Sequence, residues 1–529
     1  MTDREAWPTL VRALLDPAAY PHRTADIRVV ETHISWVVLT GELAYKVKKP
    51  VALGFLDFST PELRRRYCEE EVRVNRRTAG DLYLDVVPIG QGPDGLRVGR
   101  EPAIEYAVRM RQFPHEARLD RCLRDGLLQR ADLRLLAETL AGFHASLPSR
   151  CISNPAGEIE RVLRPARNNF VHLDPAALDD GTQQRLAVVE AWTLAERERL
   201  APAFERRARQ GAVREGHGDL HLENLLLLDG RFVPFDALEF NAELRWIDVA
   251  NDIAFLAMDL MARGRRDFAY DVLSAWLEAV GDYDSLEVMR FYLVYRSMVR
   301  AVVTAIRGRQ AGTRAAADSA RLDTARYVEL AAELVDTPPP RLYLMHGLSG
   351  SGKTWLSERL VGGLGALRMR SDLERKRLAN RPGELAPGHR AIGEMNAGLY
   401  GPEATERTYG FLAEACATGL RAGFDMIADA AFLQRARRRQ FVDLAASLGA
   451  DCTIVECQAS PAQLRDRLQR RAAERTDASD ADIAVLQHQL GSHDPLDAAE
   501  RQRTVSVDTE ADALAGVLEA LGRPDHPGR

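Results

Sequence analysis

Two short stretches of the chain set chemically capable residues at fixed intervals. The first is His217-Gly218-Asp219-Leu220-His221-Leu222-Glu223-Asn224, followed after the strand-like run Arg231 to Phe235 by Asp236. Transfer of a phosphoryl group needs a carboxylate to accept or orient the acceptor hydroxyl, with an Asn and a second Asp to hold magnesium against the phosphates of ATP. Asp219, Asn224 and Asp236 supply those groups in that order, while a single extra His such as His221 more often packs or hydrogen-bonds and is given no role. The second stretch, Gly347-Leu348-Ser349-Gly350-Ser351-Gly352-Lys353-Thr354, matches G-x-x-x-x-G-K-[ST] in full. Its glycines let backbone N–H groups turn around phosphate oxygens, Lys353 reaches the β- and γ-phosphates, and Thr354 offers a hydroxyl to magnesium.

Two acids follow the second stretch. Leu367 to Asp372 reads as a short strand ending in an acid and Met426 to Asp429 as another, so Asp372 and Asp429, at the carboxyl ends of parallel strands, would face the phosphate site. Helix capping is the alternative for both. Further on, Arg465, Arg467, Arg470, Arg471 and Arg475 crowd one segment, with Arg467 and Arg471 on one helix face; a solvated basic helix is the alternative there.

The first constellation demands a strand Lys for the α- and β-phosphates and a helix Glu to hold it. Leu43-Ala44-Tyr45-Lys46 lines up with V-A-I-K, which selects Lys46 over Lys48 and Lys49, although Lys48 shares its strand face. Ser59-Thr60-Pro61-Glu62 is a helix start, and the helix should run to about Ala79. Leu63, Tyr67, Glu71 and Val74 recur on its inward stripe, so Glu71 is the expected partner of Lys46, with Glu69 and Glu70 in solvent. Ile27 to Val30, Ser35 to Thr40 and Leu43 to Lys48 read as an antiparallel sheet, and helices are expected over Ala131–Ala145 and from Ser285 through Leu334. Arg109 to Pro114, after a strand over Ala103–Val108, is the expected hinge at which adenine would bind. Three prolines, Pro338 to Pro340, break the chain; Arg341 to Met345 then reads as a buried strand feeding the Gly-rich turn and a helix from near Trp355.

The H-G-D-x-x-x-x-N loop with its downstream Asp resembles the aminoglycoside phosphotransferase family, a kinase-like fold. The resemblance implies Asp219 as catalytic base, Asn224 and Asp236 as magnesium ligands, and His217 as a structural member of the loop. The chain departs from protein kinases in having only Thr40-Gly41 where they carry G-x-G-x-x-G ahead of the lysine, a signature that aminoglycoside-phosphotransferase-like enzymes also lack in full. The second constellation resembles the P-loop kinases that include gluconate kinase, chloramphenicol phosphotransferase, zeta toxins and polynucleotide 5′-kinases. That likeness implies Asp372 as the acid activating an acceptor hydroxyl, Asp429 as the acid orienting magnesium, and Arg467 and Arg471 as lid arginines. The order of the two matches bifunctional aminoglycoside phosphotransferase/ATP-binding proteins, as do Glu31 to Trp36, Phe55 to Phe58 and Glu239 to Asp252. The expected architecture is an α+β two-lobed protein-kinase-like domain over 1–335, a Pro-rich linker at 336–340, an α/β P-loop NTPase domain with a mainly parallel sheet over 341–522, and a tail at 523–529.

Composition narrows the classes. Hydrophobic residues at 46% and charged residues at 28% suit a folded globular protein, and 71 Lys and Arg against 77 Asp and Glu, a net charge of −6, lack the excess of a nucleic-acid coat. Apolar runs such as Leu225–Leu228 and Ile253–Met258 fall short of the roughly 20 residues of a membrane span, and Met1 to Leu10 has no signal-peptide core, so a cytoplasmic protein with no membrane partner is expected. Cys68, Cys122, Cys151, Cys416, Cys452 and Cys457 form no C-x-x-C pair and are expected to be reduced and mostly buried. Four functional readings follow: two ATP- and magnesium-dependent sites acting on small-molecule hydroxyls; a regulatory first half beside one working P-loop kinase; a nucleic-acid end kinase in the second domain, suggested by Arg435 to Arg439 with Arg465 to Arg471; and a nucleotide-controlled switch without phosphotransfer.

Overall fold

The structure, a computed structural model, describes residues 8–53, 56–150, 155–379, 401–474, 483–511 and 514–522; Phe55, Cys151, Arg475, the side chain of Arg471 and the 523–529 tail lie outside the described residues. The chain divides into two compact units, neither continuous in sequence. The first comprises Met1–Gln129, Ser146–Ser153 and Ala208–Asp252, the second Arg130–Ala145, Asn154–Arg207 and Ile253–Arg529. The helical segment that precedes the prolines therefore belongs to the same compact unit as the P-loop.

In the first unit, β1 (Arg28–Glu31), β2 (Ser35–Leu39), β3 (Leu43–Lys48), β4 (Tyr83–Gly92), β5 (Gly95–Val98) and β6 (Ala103–Arg111) form an antiparallel sheet in the order β1-β2-β3-β6-β4-β5. One face is packed by Val38, Tyr45, Val47 and Ile89, the other by Ala44, Val108 and Met110 with Cys68 and Val72 of helix α1 (Pro61–Ala79). Alternation along β3 sends Tyr45 and Val47 to the first face and Ala44, Lys46 and Lys48 to the helix side. Helix α1 starts where expected: Thr60 Oγ1 accepts from Leu63 N at 3.3 Å, Pro61 opens the first turn, and Arg76 and Arg77 complement the dipole at its end. Strand β6 continues to Arg111, pairing Arg109 with Tyr45 and Leu43 with Arg111, so the expected hinge shrinks to Gln112, Phe113 and Pro114. The ladder simply extends as far as its partner β3 allows.

The rest of the first unit carries the catalytic-type loop. Strands β7 (Val213–Glu215) and β10 (Trp246–Asp248) pair antiparallel, and between them β8 (Leu225–Leu228) and β9 (Arg231–Pro234) form a hairpin. Its two-residue turn is Asp229-Gly230, both at positive φ (51° and 72°), which suits the twist of antiparallel strands. At the open end Phe235 N donates to Asn224 O at 3.0 Å, which brings Asn224 and Asp236 together.

The second unit contains helices α2 (Arg130–Ser146), α3 (Pro155–His172), α4 (Asp180–Arg209), α5 (Val249–Ala262), α6 (Arg266–Val280), α7 (Leu286–Arg309) and α8 (Arg314–Val335). They precede strands β11 (Arg341–His346), β12 (Ala366–Arg370), β13 (Asp425–Asp429), β14 (Asp451–Gln458) and β15 (Thr504–Asp508), an all-parallel sheet in the order β12-β13-β11-β14-β15. Strand β11 is buried along nearly its whole length, as expected of a central parallel strand covered on both faces. Helix α9 (Lys353–Leu364) follows it, beginning two residues before Trp355, because the Gly-rich turn leads into the helix directly at Lys353.

Candidate active sites

The first site begins with β3. Lys46 Nζ lies 2.7 Å from Glu71 Oε1 and 2.5 Å from Asp236 Oδ1; Lys48 Nζ lies 2.7 Å from Glu71 Oε2 and also bonds Glu239. Sequence spacing singled out Lys46 with Glu71, and these do meet, but Glu71 bridges two lysines rather than one. Burial opposes the charge on Lys46, yet Asp236 and Glu71 outweigh it and hold its pKa well above the ordinary lysine value. Burial likewise works against Glu71, and the two lysines overcome it, holding the carboxyl down at about 2. Glu239 is pushed up by burial, with Lys48 opposing. Glu70, expected in solvent, is half-buried and bonds Arg73 and Arg245, because α1 packs that flank against the β7–β10 region.

The loop itself is held by carboxylate and imidazole contacts. Asp252 accepts from His217 N at 2.6 Å and Gly218 N at 2.9 Å, while buried His217 bonds Phe235 O through Nε2 at 2.9 Å and accepts from Asp219 N at 3.3 Å. Burial lowers the pKa of His217, which favours the neutral ring those contacts use. Gly218 sits at φ +82°, and a Cβ there would approach Leu244 O to 3.0 Å, so only glycine lets the loop pass. Asn224 Nδ2 donates to Asp219 O and to Asp219 Oδ2, both at 3.0 Å, which leaves the amide oxygen as the group suited to a cation. Asp236, at φ +58°, donates its N–H to Tyr83 Oη at 3.1 Å, and the next residue, Ala237, donates to Asn75 Oδ1 of α1 at 2.8 Å. His221 Nε2 lies 3.4 Å from Asp219 Oδ2.

Three carboxylates, Glu71, Asp236 and Glu239, thus surround two ammonium groups, an excess of negative charge beside a partly exposed Asp236. Glu71 and Glu239 are taken up by the lysines, so the oxygens that would hold a divalent cation here are the partly exposed Asp236 carboxylate and the amide oxygen of Asn224. Sequence reasoning missed Glu239 and Asp252 as individual residues. The available signal for Asp252 was its place directly before the apolar run Ile253 to Met258, which a solvated surface helix would not carry.

The second site grows from the turn after β11. Lys353 Nζ donates to Gly347 O and Leu348 O, each at 2.9 Å, and Ser349 N donates to Gln489 Oε1 at 2.8 Å. Gly347 sits at φ +144°, where a Cβ would come within 2.6 Å of Cys457 O and 2.7 Å of Ser351 Oγ. The hydroxyl of Ser351 is buried without a hydrogen-bond partner inside the same turn. A backbone cradle closed to side chains, an unpartnered hydroxyl and the start of α9 fit a nucleotide phosphate. Thr509 Oγ1 donates to Ser351 O at 2.8 Å and braces the turn.

Asp429 ends β13 beside β11, and its Oδ2 accepts from Ser357 Oγ of α9 at 2.8 Å. Asp372 is not at a strand end: β12 stops at Arg370, and Asp372 stands half-buried in the first turn of α10 (Ser371–Ala379), because the chain turns helical at Ser371. Arg467, on α13 (Pro461–Glu474, with α11 at Pro402–Arg421 and α12 at Arg435–Ser447 before it), donates to Gly350 O at 3.3 Å and to Thr509 Oγ1 at 2.9 Å. Its guanidinium thus ties the turn to Thr509. Among the described residues no helix is long and apolar enough to cross a membrane.

Comparisons with known proteins match the two sites to two separate segments of the sequence, the first of which draws on both compact units. Residues 68–292 match the phosphotransferase enzyme family, and residues 342–496 match an AAA domain. Uncharacterized proteins of Mycobacterium tuberculosis (strain ATCC 25618 / H37Rv) and Mycobacterium bovis are each 32% identical over 464 residues, spanning 87% of this chain and 89% of theirs. Among solved structures, choline kinase from Cryptosporidium parvum shares 12% identity at a TM-score of 0.35, over 61% of this chain and 95% of its own. A sugar kinase from Janibacter sp. HTCC2649 shares 18% at a TM-score of 0.25, over 35% and 92%. Both superpositions are too slight to bear on fold or substrate. The mycobacterial likeness over nearly the full length, with a phosphotransferase segment ahead of a P-loop segment, makes this chain a phosphotransferase enzyme of the bifunctional aminoglycoside phosphotransferase/ATP-binding protein family.

Proposed function

We propose that the protein is a bifunctional, ATP- and magnesium-dependent phosphotransferase, with a two-lobed kinase-like site around Asp219 and a P-loop kinase site around Lys353, each acting on a small-molecule hydroxyl. The observation that carries this reading is the convergence of Lys46, Glu71 and Asp236, up to 190 residues apart, beside the Asp219–Asn224 pair. Bound magnesium-ATP supplies the γ-phosphoryl group and neutralises its charge. Asp219 orients the acceptor hydroxyl and takes its proton, steadied by Asn224 Nδ2. Lys46 holds the phosphates and is itself held by Glu71, while Asn224 and Asp236 are the cation ligands. In the second site Lys353, Thr354 and the backbone of Gly347 to Gly352 hold the nucleotide, Asp429 is the magnesium-side acid, Asp372 the acceptor base, and Arg467 and Arg471 the lid arginines. The basic run at Arg435 to Arg439 is met by acids: Arg435 pairs with Asp497, Arg437 with Glu406, Arg438 with Glu500 and Arg439 with Asp443. Charge spent this way favours a small acceptor over a nucleic-acid end.

The test is ATP consumption by wild type, Asp219→Asn and Asp372→Asn with panels of sugars, aminoglycosides, nucleosides and 5′-hydroxyl oligonucleotides. Each variant is expected to lose a different acceptor-dependent activity, by about 10²–10⁴-fold. Equal turnover by all three proteins with every acceptor would refute two catalytic bases.

A further inference from the structure

A chain of buried polar contacts runs from helix α6 to the second site. Glu278 Oε1 of α6 accepts from Arg368 Nε of β12 at 2.7 Å, with both side chains almost fully buried. The same guanidinium donates to Ser357 Oγ at 3.2 Å and to Thr354 O at 3.3 Å, and Ser357 Oγ in turn donates to Asp429 Oδ2 at 2.8 Å. Ser274 Oγ, one turn earlier on α6, accepts from Arg368 N at 3.0 Å and fixes the strand as well. Burial opposes the charge of Arg368, and Glu278 first and Asp429 next outweigh it, so the cation is stably ionised where it stands.

Burying an ion pair is a poor way to gain stability, since apolar residues of the same volume generally serve as well or better. This pair has another consequence. Its far end is Asp429, assigned to magnesium, and it touches the backbone of Thr354, whose hydroxyl is assigned to the same ion. The near end comes from α6, which lies within the segment matched to the phosphotransferase enzyme family, upstream of the prolines. A second tie follows the same route: Tyr283 Oη donates to Glu374 Oε1 at 3.3 Å on α10, the helix that carries Asp372.

We infer that Glu278 and Arg368 are positioning residues of the second phosphotransfer site, so that the P-loop region borrows part of its magnesium-site scaffold from a helix of the phosphotransferase segment. The inference rests on the reading of Lys353 and Asp429 as nucleotide and magnesium groups. Arg368 sets the rotamer of Ser357 and the orientation of the Asp429 carboxylate, and Glu278 sets Arg368. Hydrogen bonds to a metal-binding carboxylate from behind govern how well its oxygen meets the metal.

The experiment measures binding of a fluorescent ATP analogue to the full-length chain carrying Asp236→Asn, with and without magnesium. In this background Lys353→Ala should remove the binding. Glu278→Gln, which keeps shape and removes charge, should weaken magnesium-dependent binding by about 10- to 100-fold while leaving magnesium-free binding unchanged. Ser357→Ala, which cuts the chain at a small side chain and guards against a folding defect in the first variant, should reproduce that selective loss. If both variants melt like the parent and bind the magnesium complex as tightly as it does, the inference is overturned and the two-site reading stands. If Lys353→Ala changes nothing, the two-site reading fails and takes the inference with it.

Discussion

Around Asp219 the working groups are side chains gathered from far along the chain, whereas around Lys353 they are mostly backbone groups of eight consecutive residues. Lys46, Lys48, Glu71, Asp236 and Glu239 reach one another across the first unit and are nearly all buried. The P-loop cradle rests on glycine conformations, on Lys353 bonded to its carbonyls and on braces such as Thr509. In the first region, then, removing one charge strands another in a medium that cannot solvate it. In the second, removing a side chain leaves the cradle standing.

The sharpest way to break this contrast is a pair of alanine variants. Glu71→Ala leaves Lys46 and Lys48 short of a shared partner, and we expect a loss of about 3–5 kcal/mol in urea unfolding, with first-site activity gone. Lys353→Ala should abolish second-site turnover while shifting stability by less than about 1 kcal/mol. Similar stability losses for both would erase the distinction.

Acid titration sets Glu71 of the first unit against Asp271 of the second, with opposite signs. Glu71 has a depressed native pKa, about 2, so its stabilising contribution is complete above the unfolded value near 4.5 and disappears as pH falls from there through 2. Asp271, on α6, goes the other way: burial raises it to about 6, against the pull of Arg130. Its ionisation costs stability as pH rises from about 4 through 6, by up to about 3 kcal/mol, and the cost then stays constant. Asp271→Asn should therefore flatten the pH 4–7 unfolding profile, and Glu71→Gln should flatten the profile below pH 4.5.

A smaller effect tests the brace. Thr509→Val removes the donor to Ser351 O and an acceptor for Arg467, and should weaken second-site nucleotide binding by about 0.5–1.5 kcal/mol without altering first-site kinetics. The smallest concerns the thiols. Cys68, Cys416, Cys452 and Cys457 are pushed up to about 12 by burial, so a thiol reagent at pH 8 should leave all four unmodified until denaturant is added, in both regions alike.

Legibility in the sequence follows the same contrast. The P-loop could be read residue by residue because its chemistry is local, and Lys46 with Glu71 because the V-A-I-K-like run on β3 and the inward stripe of α1 each have a short-range signature. Glu239 could not, since it reaches Lys48 across 191 residues and nothing nearby announces that pairing. Asp372 was expected one element early because strand and helix meet at Ser371 with no proline or glycine to mark the change. Arg467 was recognised as a helix-face arginine, but what it grips depends on Thr509, another strand's end. Glu278 lay hidden for the same reason: one of three acids on an amphipathic helix looks solvated until β12 is seen beside it.

The wide separation of Lys48 from Glu239 also bears on synthesis. A ribosome adding about 5–20 residues per second would produce Lys46, Lys48 and Glu71 roughly 10–40 seconds before Asp236 and Glu239. The sheet and α1 can associate in that interval, but their two lysines have only one buried carboxylate between them. Until the later segment arrives the seam between β3 and α1 lacks Asp236 and Glu239, two of the three carboxylates that meet its lysines in the folded chain.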